Sequence, residues 1–103
     1  MDARTALVAD SITRALRQFE AVRAVLLFGS RARGDNRDRS DIDIAIDATG
    51  ASAIEWAEIL ESLDAVPTLL QIDVVRLETA STAMRSEIER DGLVLYDVRT
   101  RAA

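Results

Sequence analysis

Apolar positions in the first twenty residues recur at helical spacing. Val8, Ile12, Ala15, Leu16 and Phe19 share one side, while Arg14 and Arg17 occupy others. The pattern predicts an amphipathic helix over 2–20. Val22 to Phe28 then breaks that rhythm. Its unbroken run Val25-Leu26-Leu27-Phe28 reads as a strand buried on both faces, and so central in its sheet. Gly29-Ser30 turns the chain, 31–34 fit one helical turn, and Gly34-Asp35-Asn36 make a polar loop. From 41 to 47 acidic and apolar residues alternate, the period of a strand with two unlike faces.

Beyond a break at 48–50, Ser52 and Glu55 have the spacing of a capping box and start a helix. Ala53, Trp56, Ala57, Leu60 and Leu63 form its expected inward stripe, and Trp56 reads as core rather than as a base-stacking platform. Pro67 punctuates the exit. A third strand runs from Leu69 to Leu77, with Leu70, Ile72 and Val74 on one face and Gln71, Asp73 and Val75 on the other. Thr79, Ser81 or Thr82 can cap a last helix ending at Asp91, with Ala80, Met84 and Ile88 as its stripe and Arg85–Glu89 as an exposed pair. Gly92 fits the position just past that helix. Val94-Leu95-Tyr96 makes a final short strand, and 99–103 a loose tail. This order of elements predicts an α/β (α+β) fold. One mixed sheet of about four strands is flanked by helices, in a single domain over 1–103.

Composition narrows the chemistry. The 103 residues, 49% hydrophobic and 30% charged, suit one globular core rather than a disordered chain. There is neither cysteine nor histidine, so thiolate and imidazole sites are excluded. A general base must be a carboxylate or water, and a metal site must be built from oxygen, which favours Mg²⁺, Mn²⁺ or Ca²⁺. All 13 basic residues are arginine, which rules out a Walker-type lysine. The net charge of −5 argues against stable, direct gripping of a nucleic acid. Arg31, Arg33, Arg37 and Arg39 still supply a local cationic patch. No apolar run is long enough for a membrane span and the first residues lack signal-peptide design, so a cytoplasmic location without membrane contact is expected.

Asp41 and Asp43 leave the same face of their strand about 6.6 Å apart, at roughly 3.3 Å per residue. Carboxylates that close are poised to share a divalent cation, and the Gly-Ser turn before them can offer N–H groups to a phosphate. Alternation of this kind is also normal on the wet face of an edge strand, and Asp73 alone reads equally well as a surface residue. Together they weigh differently. If their strands are neighbours, three carboxylates converge, and like charges about 4 Å apart repel by roughly 4 kcal/mol at an effective dielectric near 20. Such a cluster needs cations or raised pKa values. With cations it becomes a two-metal site acting on phosphorus.

Gly29-Ser30-Arg31-Ala32-Arg33-Gly34, then Ser40-Asp41-Ile42-Asp43-Ile44, resembles the signature of the minimal nucleotidyltransferases of the DNA polymerase beta superfamily. Asp73, within Ile72-Asp73-Val74-Val75, matches the third carboxylate, and Glu89 to Tyr96 is similar to the way these short domains end. The resemblance implies a polymerase beta-like fold, with Gly29 and Ser30 binding the triphosphate of ATP and Arg31 or Arg33 steadying phosphate charge. It implies that Asp41 and Asp43 bridge two Mg²⁺ ions while Asp73 completes the catalytic metal. A domain of this size without an acceptor domain resembles the antitoxin of HEPN/MNT toxin–antitoxin pairs, in which AMP passes from ATP to a tyrosine of the HEPN ribonuclease toxin. Two alternatives stay open at this point: a non-catalytic antitoxin or nucleotide-binding module acting by occlusion, and a small-molecule nucleotidyltransferase of the aminoglycoside type.

Overall fold

The computed structural model describes residues 1–101. The first helix, α1 (Ala3–Leu16), starts where Asp2 Oδ1 accepts from the Thr5 N–H at 2.7 Å. It ends earlier than its apolar spacing predicts. Two consecutive turns, closed by Phe19 N–H to Leu16 O and Val22 N–H to Phe19 O, reverse the chain and bury Val22. β1 (Ala24–Phe28), the single turn α2 (Ser30–Arg33) and β2 (Ile42–Asp47) follow. Then come α3 (Ala53–Asp64), β3 (Ile72–Arg76), a 3₁₀ turn at Leu77–Thr79, α4 (Thr82–Asp91) and β4 (Leu93–Asp97). The expected tail at 99–103 is corrected in part, since Val98–Arg101 form one further helical turn, α5; 102–103 lie outside the described residues.

The sheet is mixed, in the order β3-β2-β1-β4. β1 pairs antiparallel with β2 and β4, and β2 pairs parallel with β3. A parallel pair needs a crossover, and α3 is that crossover. The central place expected for β1 holds, and its two faces bury different partners. Val25 and Leu27 lie opposite Ile46 and Ile44, and this face packs with Ile12 and Leu16 of α1 and with Ile59 and Leu63 of α3. Leu26 and Phe28 lie opposite Ala45 and Asp43, on the face covered by Met84 and Ile88 of α4.

The inward stripe of α3 is Trp56, Ile59 and Leu63, whereas Ala53, Ala57 and Leu60 are exposed. This helix carries apolar residues on two adjoining sides, and the sheet selects the side bearing Ile59. Trp56 does sit against the core, with the Arg76 guanidinium 4.9 Å from its ring centroid. The capping box forms as expected, Ser52 and Glu55 each bonding the other's backbone. Ser81 caps α4. Arg85 turns back to the carbonyls of Glu78 and Ala80 instead of pairing with Glu89. Gly92 has an ordinary φ of −64°, so its glycine serves space rather than a left-handed turn: a Cβ there would collide with the Ile88 carbonyl and approach Leu26 Cδ2 to 3.2 Å.

Candidate active site

Gly29 ends β1 with φ 73° and ψ −159°, a conformation essentially reserved for glycine. A Cβ at this position would run into Asp43 Oδ2 and lie 3.2 Å from Asp43 Cγ. Glycine is therefore required twice, once for the backbone and once to let a carboxylate stand beside the turn. The N–H groups of Ala32 and Arg33 fold back to Gly29 O, and Gly34 closes α2 in the left-handed conformation. The Ser30 hydroxyl, at the start of this turn, has no hydrogen-bond partner among the described residues.

The two arginines of the turn have different fates. Arg31 is 1% exposed, is held by hydrogen bonds to four neighbours, and pairs with the Asp2 carboxylate at 3.8 Å. Its guanidinium donates to Ser40 O, Thr5 Oγ1 and Asp38 O, each at 2.9 Å, and to Arg37 O at 3.3 Å. Arg31 thus pins the 35–40 loop to α1 and sets the approach to Asp41, rather than presenting its charge to solvent. Arg33 is half-exposed, pairing with Asp35 at 3.1 Å and with Asp91, at the end of α4, at 2.9 Å. Its charge also reaches the carboxylates, since it favours the ionised form of Asp43.

Asp43 and Asp73 are direct neighbours in the parallel register of β2 and β3. Asp41 lies just ahead of β2, and its carboxyl group is hydrogen-bonded to that of Asp73. Hydrogen bonding to Asp73, then burial and the Asp73 charge, raise the pKa of Asp41. Asp43 is raised as well, first by burial and then by the charges of Asp73, Asp41 and Glu87. Asp73 thus neighbours both Asp41 and Asp43, and Asp43 stands beside the glycine turn.

Among the described residues, no group of three or more acidic side chains is arranged so that it could hold a metal ion as it stands. The donor chemistry fits a hard divalent cation nonetheless. The donors are oxygen only, they come from β2, the residue just ahead of it and β3, and their mutual repulsion helps raise the pKa of Asp41 and of Asp43. A cation among them would offset the repulsion and favour the ionised carboxylates.

A family model described as Polymerase beta, Nucleotidyltransferase matches residues 10–101. The chain belongs to this nucleotidyltransferase family. Among solved structures it is similar to a chain of a toxin–antitoxin crystal structure with AMP-PNP, at 27% identity and a TM-score of 0.72, over 90% of this chain and 76% of that one. It is also similar to a chain of the tri-AMPylated Shewanella oneidensis HEPN toxin in complex with its MNT antitoxin. There the identity is 25%, the TM-score 0.68, and the match covers 95% of this chain and 76% of that one. A toxin–antitoxin structure named MntA-HepT gives 26% identity and a TM-score of 0.67, over 93% and 75%. A putative nucleotidyltransferase from Sulfolobus solfataricus, at 20% identity and a TM-score of 0.59, shares the fold. A search of curated proteins found no match.

In this nucleotidyltransferase, three side chains near the site were not singled out by the sequence. Gln71 Nε2 donates to Asp73 Oδ1 at 2.8 Å and orients that carboxylate. Glu87 of α4 adds negative charge near Asp43. Thr5 receives Arg31. Only for Gln71 was a hint present, because the alternation of β3 places it on the same face as Asp73.

Proposed function

We propose that this nucleotidyltransferase is an antitoxin that transfers AMP from ATP to a tyrosine hydroxyl of a HEPN ribonuclease partner in the cytoplasm, with residues 1–103 acting as one catalytic domain. What carries the reading is the meeting of Asp41, Asp43 and Asp73 beside the strained turn at Gly29. The likeness to toxin–antitoxin chains, one of them with AMP-PNP and one with an AMPylated HEPN toxin, supports the choice of donor and acceptor.

The triphosphate is seated at Gly29-Ser30, where the turn allows close approach and the Ser30 hydroxyl is free to donate. Asp41, Asp43 and Asp73 would hold two Mg²⁺ ions, which when bound supply charge neutralisation along the phosphates. The tyrosine oxygen attacks the α-phosphorus, the bond from that phosphorus to the β-phosphate oxygen breaks, and pyrophosphate leaves. The phenolic proton passes to a carboxylate oxygen of Asp73, which Gln71 keeps in position. Arg33, tied to α4 through Asp91, places positive charge beside the developing negative charge. Most of the rate enhancement comes from positioning and charge stabilisation.

The test is transfer from α-labelled ATP in the presence of Mg²⁺ and the HEPN partner. Label is expected on a tyrosine of the partner and is expected to vanish with Asp41→Ala. If the Asp41→Ala protein neutralises the partner as well as wild type does, transfer is not the mechanism and occlusion is.

A further inference from the structure

We propose that a groove leading from Asp41 along α1 is the docking surface of the acceptor, and that it takes an acidic, apolar polypeptide segment carrying the tyrosine. The inference rests on the reading above for the acceptor, a protein tyrosine, and for the seat of the triphosphate. The groove, about 1010 Å³, is walled by Arg4, Leu7, Arg39, Asp41, Pro67 and Leu69. Leu69 is fully exposed at 106% and Leu7 is 72% exposed. Two large aliphatic side chains beside a proline form the kind of patch that association covers.

Charge selects the partner. The chain carries a net −5, yet the groove is rimmed by two arginines. Arg39 makes no hydrogen bond or ion pair among the described residues, and Arg4 donates only to Asp38 O, at 3.3 Å. Unpaired guanidinium groups around exposed leucines match a segment of alternating acidic and apolar character.

Position gives the groove its role. A row across the sheet reads Phe28 on β1, Asp43 on β2 and Asp73 on β3. Gly29 continues from the β1 end of that row, whereas Pro67 and Leu69 belong to the segment leading into β3 at the other. Pro67 and Leu69 therefore lie across the carboxylates from the glycine turn, with Asp41 in the groove wall between. In-line displacement requires attacking and leaving oxygens on opposite sides of phosphorus. With pyrophosphate leaving toward the glycine turn, the tyrosine enters from the groove.

The experiment uses the full chain and two synthetic probes: a tyrosine peptide of alternating acidic and leucine residues, and its twin with lysine at every acidic position. Binding is followed by fluorescence anisotropy and by the methyl resonances of Leu7 and Leu69. The acidic peptide is expected to bind at least about tenfold more tightly than its twin, and the double charge reversal Arg4→Glu/Arg39→Glu to invert that order. Leu69→Glu should weaken the acidic peptide by about tenfold, while MgATP still raises the melting temperature of every variant. Equal affinity for the two peptides, or indifference to Leu69→Glu, would overturn the proposal. So would movement of the Leu7 and Leu69 resonances by MgATP alone, or a dimer of this chain that dissociates with Leu69→Glu. Failure of MgATP to stabilise the wild type would strike the nucleotidyl-transfer reading and leave the groove to be judged by the peptides.

Discussion

Arg31 Nη1 donates to Thr5 Oγ1 at 2.9 Å, and both side chains are buried. This one bond ties the loop ahead of the carboxylates to the first helix, and three backbone carbonyls complete the attachment. Arg31→Ala would remove all four bonds, leave Ser40 O and Thr5 Oγ1 without this donor, and open a void. The expected loss is about 3 kcal/mol, enough to lower the melting temperature of a domain this size by more than about 10 °C. Arg31→Lys should recover only part of this, since one ammonium cannot reach acceptors spread around a planar fork. Thermal denaturation of both variants checks the assignment. A melting temperature for Arg31→Ala within a degree or two of wild type would show that the network carries no weight.

Gly29→Ala should be damaging well beyond its size. The left-handed backbone alone costs on the order of 1–3 kcal/mol, and the new methyl displaces Asp43 from its place beside the turn. AMP transfer is expected to fall by at least about a hundredfold, in keeping with a misplacement of about 1 Å in a reacting constellation. Gly34→Ala makes the comparison, since its Cβ would meet nothing within 4 Å and only the backbone cost applies. Equal transfer rates in the two variants would refute the steric part of this account.

The raised carboxyl groups make a prediction about pH. A carboxyl whose pKa is higher in the folded than in the unfolded chain binds its proton more tightly when folded. Its contribution is greatest while protonated and declines as pH climbs from the ordinary carboxylate range through the raised value. Asp41 and Asp43 both behave so. Asp97 has the opposite sign: its hydrogen bonds to Arg99 lower it to about 2, so its contribution is present above the ordinary value and lost as pH falls toward about 2. In chelator, therefore, Asp43→Asn should be more stable than wild type near neutral pH, with the gap closing toward pH 4. Melting temperatures across that range decide it; a constant gap would contradict the raised values.

Nucleotide and metal should stabilise together. At about 100 times Kd a ligand adds roughly 2.7 kcal/mol, so MgATP should raise the melting temperature by several degrees and ATP in chelator by much less. Ser30→Ala should weaken this response less than Asp43→Ala, because the backbone donors of the turn survive. The same shift with and without metal would contradict a carboxylate-bound cation.

Much of this architecture was legible because alternation and apolar runs have only a few physical solutions. The acidic faces around Asp43 and Asp73 had to match once their strands paired in register. Arg31 was not legible. An arginine next to a phosphate-type turn reads the same whether it faces solvent or is buried, and its partners are carbonyls of the following loop with Thr5 and Asp2 at the start of the chain. The face of α3 was ambiguous for a different reason: Ile54, Ala57 and Leu60 compete with Trp56, Ile59 and Leu63, and only docking on the sheet decides. Gly92 shows the same limit at a single atom, since sequence does not reveal that Leu26 comes to lie against it.

The placement of Asp73 on an outermost strand has a consequence for when this protein can work. All five residues of β3 are only half-buried, and the strand is held along one side, by β2. Peeling of that margin costs less than melting the interior. Catalytic competence should thus fade at a temperature below that of global collapse, as the third acidic group drifts off while the helices endure. Such a domain would fall silent before it unravels.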